Sequence, residues 1–196
     1  NHRPATIYIE GDGKTPTDPI ALRLAAQDGG PNVIWLARPC QYNTKYNAGG
    51  NGEKTCPTAY TTDKRFAPDV IETYNQVLNN IKAYYNIPAF NLVGYDGGAA
   101  IAVILASQRA DIASLRTVAG NLDPKTLANV TKAPYSAESL NPVDFAAGIT
   151  NIPQRHFIGK LDSDMPPAVY GSFSQAAGQD THCMNVTLVD HANHTS

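Results

Sequence analysis

The chain has 196 residues, 42% of them hydrophobic and only 16% charged, a composition that suits one well-buried globular domain over residues 1–196. Its 15 basic and 17 acidic side chains leave a formal charge of -2 with no run of Lys or Arg, which argues against nucleic acid as a partner. No stretch approaches the roughly 18 consecutive apolar residues of a membrane-spanning helix, and the chain opens at Asn1 without a signal-peptide pattern, so a soluble, processed or trimmed product is expected.

In chain order, the β-branched and aromatic run Ala5 to Glu10 predicts a strand that stops at the Gly11-Asp12-Gly13 loop. Asp18, followed by Pro19, is the expected cap of a helix carrying Ile20, Leu22, Leu24 and Ala25, ended by Gly29-Gly30. Val33 to Ala37 is nearly all apolar and predicts a strand covered on both faces. The stretch from Arg38 to Phe66 reads as irregular, and its length marks it as functional or stapled. Cys40 and Cys56 bracket a part of it rich in Gly, Asn and Tyr. A disulfide there would restrain the loop and imply an oxidising compartment; two unpaired thiols are the other reading. Tyr42, Tyr46 and Tyr60 fit half-buried rings on such a loop.

From Pro68 the spacing of Val70, Ile71, Tyr74, Val77, Leu78 and Ile81 predicts an amphipathic helix ending near Asn86. Phe90 to Gly94 is a predicted strand, and the small apolar run Gly97 to Arg109 predicts a helix buried against a sheet. Leu115 to Ala119 is a further strand, followed by a polar excursion from Gly120 to about Pro153. His156 to Gly159 predicts a strand, Pro166 to Ala177 a helix and Asn185 to Asp190 a last strand. Cys183, at the start of that apolar run, is expected to be a packed core thiol. Strands alternating with helices predict an α/β fold: a mostly parallel sheet of about six strands, helices on both faces and no large lid.

Chemistry concentrates at the ends of predicted strands, where parallel α/β sheets present their functional groups. Gly94-Tyr95-Asp96-Gly97-Gly98 lies between a strand and a small-residue helix, the context of a nucleophile elbow. Flanking glycines leave room for a sharp turn, and the helix N-terminus favours an ionised Asp96. A plain Gly-rich turn capped by an aspartate is the alternative. Asp162 follows the next strand end, and His191 and His194 follow the last. Asp96, Asp162 and His194 stand in the order nucleophile, acid, histidine. The Glu10-Gly11-Asp12-Gly13 loop is the expected source of one oxyanion N–H, that of Asp12, with Gly97 supplying the other.

Together with these, Ala37-Arg38-Pro39-Cys40-Gln41-Tyr42, Arg65-Phe66-Ala67-Pro68, Leu92-Val93-Gly94-Tyr95-Asp96-Gly97-Gly98, Thr117-Val118-Ala119-Gly120-Asn121-Leu122-Asp123 and Ser139-Leu140-Asn141-Pro142 resemble an uncharacterised, esterase-like bacterial group of the α/β-hydrolase superfamily. The resemblance implies the α/β-hydrolase fold, an esterase-like activity and export to the periplasm or exterior; a small-molecule substrate of ester type and no cofactor are expected. It also favours Cys40–Cys56 as a pair and His194 over His191.

One departure matters most: the group carries serine where this chain has Asp96. A carboxylate that attacks an ester carbonyl leaves again more readily than the alkoxide, so ordinary acylation should fail. Aspartate does serve as a nucleophile on saturated carbon, as in haloalkane dehalogenases and epoxide hydrolases. Gly97 and Trp35 depart from the dehalogenase pattern, while Tyr135 is a candidate leaving-group donor of the epoxide hydrolase kind. An aspartate-nucleophile hydrolase, a variant with lost or altered activity acting as a binding module, and an engineered replacement of serine all remain open. His182, Cys183, His191 and His194 fit no zinc signature, so no metal is expected. The Asn-x-Ser/Thr triplets at Asn129, Asn185 and Asn193 are of a kind common by chance.

Overall fold

The computed structural model describes residues 3–12, 17–42, 45–47, 53–179 and 181–196. The expected Gly13 end of the first loop lies outside them, as does the side chain of Tyr46.

Six strands form one parallel sheet in the order β2-β1-β5-β6-β7-β8: β1 (Ala5–Ile9), β2 (Val33–Leu36), β5 (Phe90–Tyr95), β6 (Ile112–Val118), β7 (Gln154–Gly159) and β8 (Met184–Val189). Between β2 and β5 the chain adds a two-stranded antiparallel ribbon, β3 (Lys45–Asn47) and β4 (Glu53–Thr55). The helices are α1 (Ile20–Gln27), α2 (Pro68–Tyr85), α3 (Gly97–Gln108), α4 (Pro124–Thr131) and α5 (Pro167–Ala177), with 3₁₀ turns at Thr58–Thr61 and Pro142–Ile149. β1 pairs with β2 on one side and β5 on the other, so the strand order reverses beside β1. Register sets Ile9 opposite Gly94. The loops leaving β1 and β5 therefore emerge side by side at a topological switch point, where open α/β sheets bind ligands.

Helix α3 is buried from Gly97 through Ala106 because its sequence is apolar or small on every side, as a helix enclosed by other elements must be. It packs on β1, β5 and β6, with α2 and the Pro142–Ile149 turn against it. The main core joins Ile7, Ile9, Leu92, Leu105, Phe66 and Phe173 from the sheet, α3, α5 and the loop before α2. On the opposite face α1 sets Ala21 and Ala25 against Tyr8, Val93 and Tyr95. Helices thus lie on both faces, and among the described residues no large lid covers the strand ends.

Several local expectations change. Asp18 does not cap α1; it is exposed and pairs with Arg23 at 2.7 Å. The cap position is one residue later, at Pro19, and the first N–H groups of the helix are met by buried Glu10, which accepts from Ala21 and Leu22 at 3.2 Å each. Glu10 also accepts from the Gly11 N–H and the Trp35 indole, each at 3.0 Å. The run Val33 to Ala37 forms the edge strand β2, half-buried rather than covered on both faces, because it has a neighbour on one side only. The excursion from Gly120 holds α4, whose N–H groups at Lys125 and Thr126 are capped by Asp123 at 3.1 Å. Strand β6 begins at Ile112, ahead of Leu115. Cys183 is half-buried, outside the core, because it precedes the edge strand β8.

Cys40 and Cys56 form a disulfide with Cα atoms 5.6 Å apart, so the irregular stretch is stapled. Among the described residues no helix is long and apolar enough to cross a membrane.

Candidate active site

Asp96 occupies the turn between β5 and α3 with φ 49° and ψ -118°, a backbone conformation that costs a non-glycine residue about 1–3 kcal/mol. The packing around it explains the strain. A Cβ on Gly98 would collide with the carbonyl oxygens of Ile9 and Glu10, and one on Gly97 with the Asp12 carboxylate. The start of α3 is thus pressed against the end of β1, and the residue at the apex must turn sharply.

The two oxygens of the Asp96 carboxylate face different partners. Oδ2 accepts the backbone N–H of Asp12 at 2.9 Å. Oδ1 lies 3.9 Å from Nε2 of His194. On the far side of the ring, Nδ1 of His194 lies 3.0 Å from Oδ2 of Asp162, whose other oxygen accepts the N–H groups of Asp164 at 3.0 Å and Met165 at 2.7 Å. The Asp162 side chain has no exposed surface, so these bonds fix its direction and, through it, that of the imidazole. Asp96, Asp162, His194, Asp12 and Gly97 are all brought to one place. His191 is exposed in a left-handed turn and takes no part.

Burial pushes the Asp96 carboxyl up to about 6, and the Asp12 charge adds to the rise; the positive side of His194 and the backbone N–H groups of Asp12 and Gly97 pull the other way. The helix N-terminus was expected to favour the ionised form, but desolvation outweighs it. At neutral pH the group is still mainly a carboxylate.

Further residues that local sequence signals did not mark complete the site. Tyr95 donates its hydroxyl to the His194 carbonyl at 3.2 Å and sets its ring 5.3 Å from the imidazole. Burial and the nearby Asp96 and Asp162 charges raise its phenol, which keeps it a donor. The Asn121 N–H binds the Asp96 carbonyl at 3.0 Å. Arg38 and Arg65 both pair with the Asp12 carboxylate, at 2.6 and 3.1 Å. These two arginines stand in blocks that carry the family resemblance, which was the one available signal for them. Beside the site opens a cavity of about 440 Å³ whose walls include Arg65, Phe66, Asn121, Leu127, Tyr135 and Asp164. No group of three or more His, Cys, Asp or Glu side chains among the described residues could hold a metal ion.

No protein-family model matches the sequence, and no curated protein matches it. Solved structures do match in shape. The α/β hydrolase GrgF from Penicillium sp. sh18 superposes with a TM-score of 0.67 at 12% identity, over 99% of this chain and 83% of that one. Est1E from Butyrivibrio proteoclasticus gives 0.67 at 12% identity over 99% and 81%. The Pyrococcus furiosus esterase Pf2001 gives 0.68 at 14% identity over 98% and 75%. At such identities the likeness speaks for the fold.

Proposed function

The fold just matched is that of the α/β-hydrolases, and from it we propose that this chain hydrolyses small molecules of ester type through Asp96. In this reading Asp96 is the nucleophile, His194 the base and Asp162 the group that orients His194. The N–H groups of Asp12 and Gly97 stabilise the oxyanion. One observation carries the reading: the carboxylate of Asp96 is split between an N–H donor on Oδ2 and the imidazole Nε2, 3.9 Å from Oδ1.

That division suits attack at saturated carbon. Oδ1 forms a bond to the alkyl carbon while the leaving group departs with its electron pair; for an ester this is the carboxylate, released by alkyl–oxygen cleavage. His194 Nε2 then takes a proton from water as the water oxygen bonds to Cγ of Asp96. Negative charge develops on Oδ2, which already faces the Asp12 N–H, in the manner of a preorganised oxyanion site. Collapse expels the alcohol oxygen, the former Oδ1, which receives the proton from His194. Asp162 stabilises the imidazolium between the two transfers. The cavity bordered by Tyr135 and Asn121 is proposed to take the substrate's remaining groups. The Cys40–Cys56 bridge supports an oxidising compartment, periplasmic or secreted.

A second reading is favoured by the same bond. Because the Asp96 carboxylate itself takes the Asp12 N–H, an ester carbonyl has no free oxyanion donor there, and acyl transfer is blocked; the chain would then be a binding module. Assays of the parent and of Asp96→Ser on short-chain p-nitrophenyl esters and on alkyl electrophiles separate the two. Turnover of an alkyl electrophile by the parent, with a covalent adduct accumulating on Asp96 in His194→Ala, supports the proposal. Ester cleavage in Asp96→Ser alone, with an inert parent, refutes it in favour of the binding module.

A further inference from the structure

The arginines at 38 and 65 have no part in the chemistry above, yet they converge on the loop that supplies one of its donors. Arg38 is 5% exposed. Its Nη1 binds Asp12 Oδ1 at 2.6 Å, and its Nη2 binds the backbone carbonyl of Arg65. Arg65 returns the contact by binding Asp12 Oδ2 at 3.1 Å. Both guanidiniums lie over the fully buried Phe66 ring, at 5.4 and 5.5 Å. The preceding residue is held too: Gln41 accepts the Arg38 N–H at 3.1 Å and donates Nε2 to the Gly11 carbonyl at 3.2 Å. Cys40, which anchors the disulfide, sits inside this same turn.

Stability alone is a poor explanation for such an arrangement. Buried ion pairs repay little of their desolvation cost, and here the Nε atoms of both arginines are buried without an acceptor, a further cost. What the arrangement does fix is direction. Asp12 is a single residue whose side chain is gripped by two cations, packed over Gly97, and whose N–H then points at Asp96.

We propose that Arg38 and Arg65 are positioning residues that, by clamping the Asp12 carboxylate, hold the Asp12 backbone N–H on Oδ2 of Asp96. The proposal rests on Asp96 standing in the reactive slot, but its test needs no turnover. The charged and titratable groups facing Asp96 are Asp12, from the β1 loop, and His194, from the loop after β8 with Asp162 behind it. Around the adjoining Tyr95 ring stand Glu10 and Asp164. Loosening the clamp leaves the Asp12 charge less compensated and weakens the N–H bond, and both changes move Asp96 in one direction, upward.

The experiment is an NMR titration of the full chain that follows the Asp96 carboxyl carbon and the Asp12 amide proton in the parent, Arg65→Met and Arg38→Lys. Arg65 is partly exposed and Arg38→Lys keeps the charge, so both are mild replacements, and the amide spectrum of each reports whether it is folded. In the parent, the Asp12 amide shift follows the Asp96 titration. In Arg65→Met the Asp96 midpoint is expected to rise by about half a unit or more, and in each folded variant the amide response is expected to shrink. An unchanged midpoint with full amide response in the folded variants overturns the proposal. Loss of hydrolytic activity in the parent would instead count against the functional reading and leave this test standing.

Discussion

Asp12 donates its backbone N–H to the Asp96 carboxylate at 2.9 Å across 84 residues of sequence. This bond joins the loop after β1 to the turn after β5, the two segments that the reversal of strand order brings together. It also sets the electrostatics of Asp96, because the same residue that donates the N–H brings a carboxylate of its own.

Asp96 is raised from 3.8 to about 6 in the folded state, so the folded chain holds its proton more tightly than the unfolded one. Its contribution is favourable below the unfolded value and is lost as pH climbs through about 6. Asp96→Asn should therefore gain roughly 2–3 kcal/mol over the parent at pH 8 and nothing at pH 3.5. Urea unfolding of both proteins across that range checks it. If Asp96 is the nucleophile, hydrolysis by the parent rises with pH through the same window.

His156 gives the opposite sign. It is fully buried between Thr117 Oγ1 at 2.8 Å and Gln154 Oε1 at 3.0 Å, and burial lowers it from 6.5 to about 4. The unfolded chain takes up a proton that the folded chain refuses, so stability drains away as pH falls from about 6.5 towards 4. His156→Gln should be less stable than the parent at pH 7, with the gap narrowing by about 2 kcal/mol or more at pH 4.5. Denaturation midpoints at the two pH values measure this.

Asp162→Asn keeps the shape beside His194 while removing the charge that holds its Nδ1. A loss in kcat of roughly a thousandfold or more is expected, with KM nearly unchanged. Steady-state kinetics on whichever substrate the parent turns over provides the check, and a loss confined to KM would speak against the assigned role.

The disulfide closes a loop with a sequence separation of 16, for which chain entropy gives about 3 kcal/mol. Replacing Cys40 and Cys56 by Ser should lower stability by about that amount. A thiol count on denatured, unreduced parent protein should find the Cys183 thiol alone.

What could be read beforehand was local. The glycines around Asp96, the strand ends before Asp162 and His194, and the periodicity of α2 each depend on a few neighbouring residues, and the structure brings Asp96, Asp162 and His194 close to one another. Longer connections left no such trace. Nothing near Glu10 says that it will cap α1, because its partners belong to a helix ten residues on and to Trp35 in another strand. The arginine clamp on Asp12 is made by residues 26 and 53 positions away. An edge strand and a central one look alike in a run such as Val33 to Leu36, since position in the sheet is decided by pairing. Helix α4 is eight residues long with only Leu127, Ala128 and Val130 as apolar residues after Pro124, so its apolar side is too short to register against the surrounding excursion.

Whether Asp96 forms the bond to substrate is read from one turnover in water enriched in ¹⁸O with the parent chain in excess. Short-chain alkyl esters, epoxides and alkyl halides are the substrates to screen, followed by mass spectrometry of the peptide carrying Asp96 and of the product alcohol. Label in the Asp96 carboxylate with an unlabelled product is the predicted result. Label in the product with none in Asp96 would contradict it.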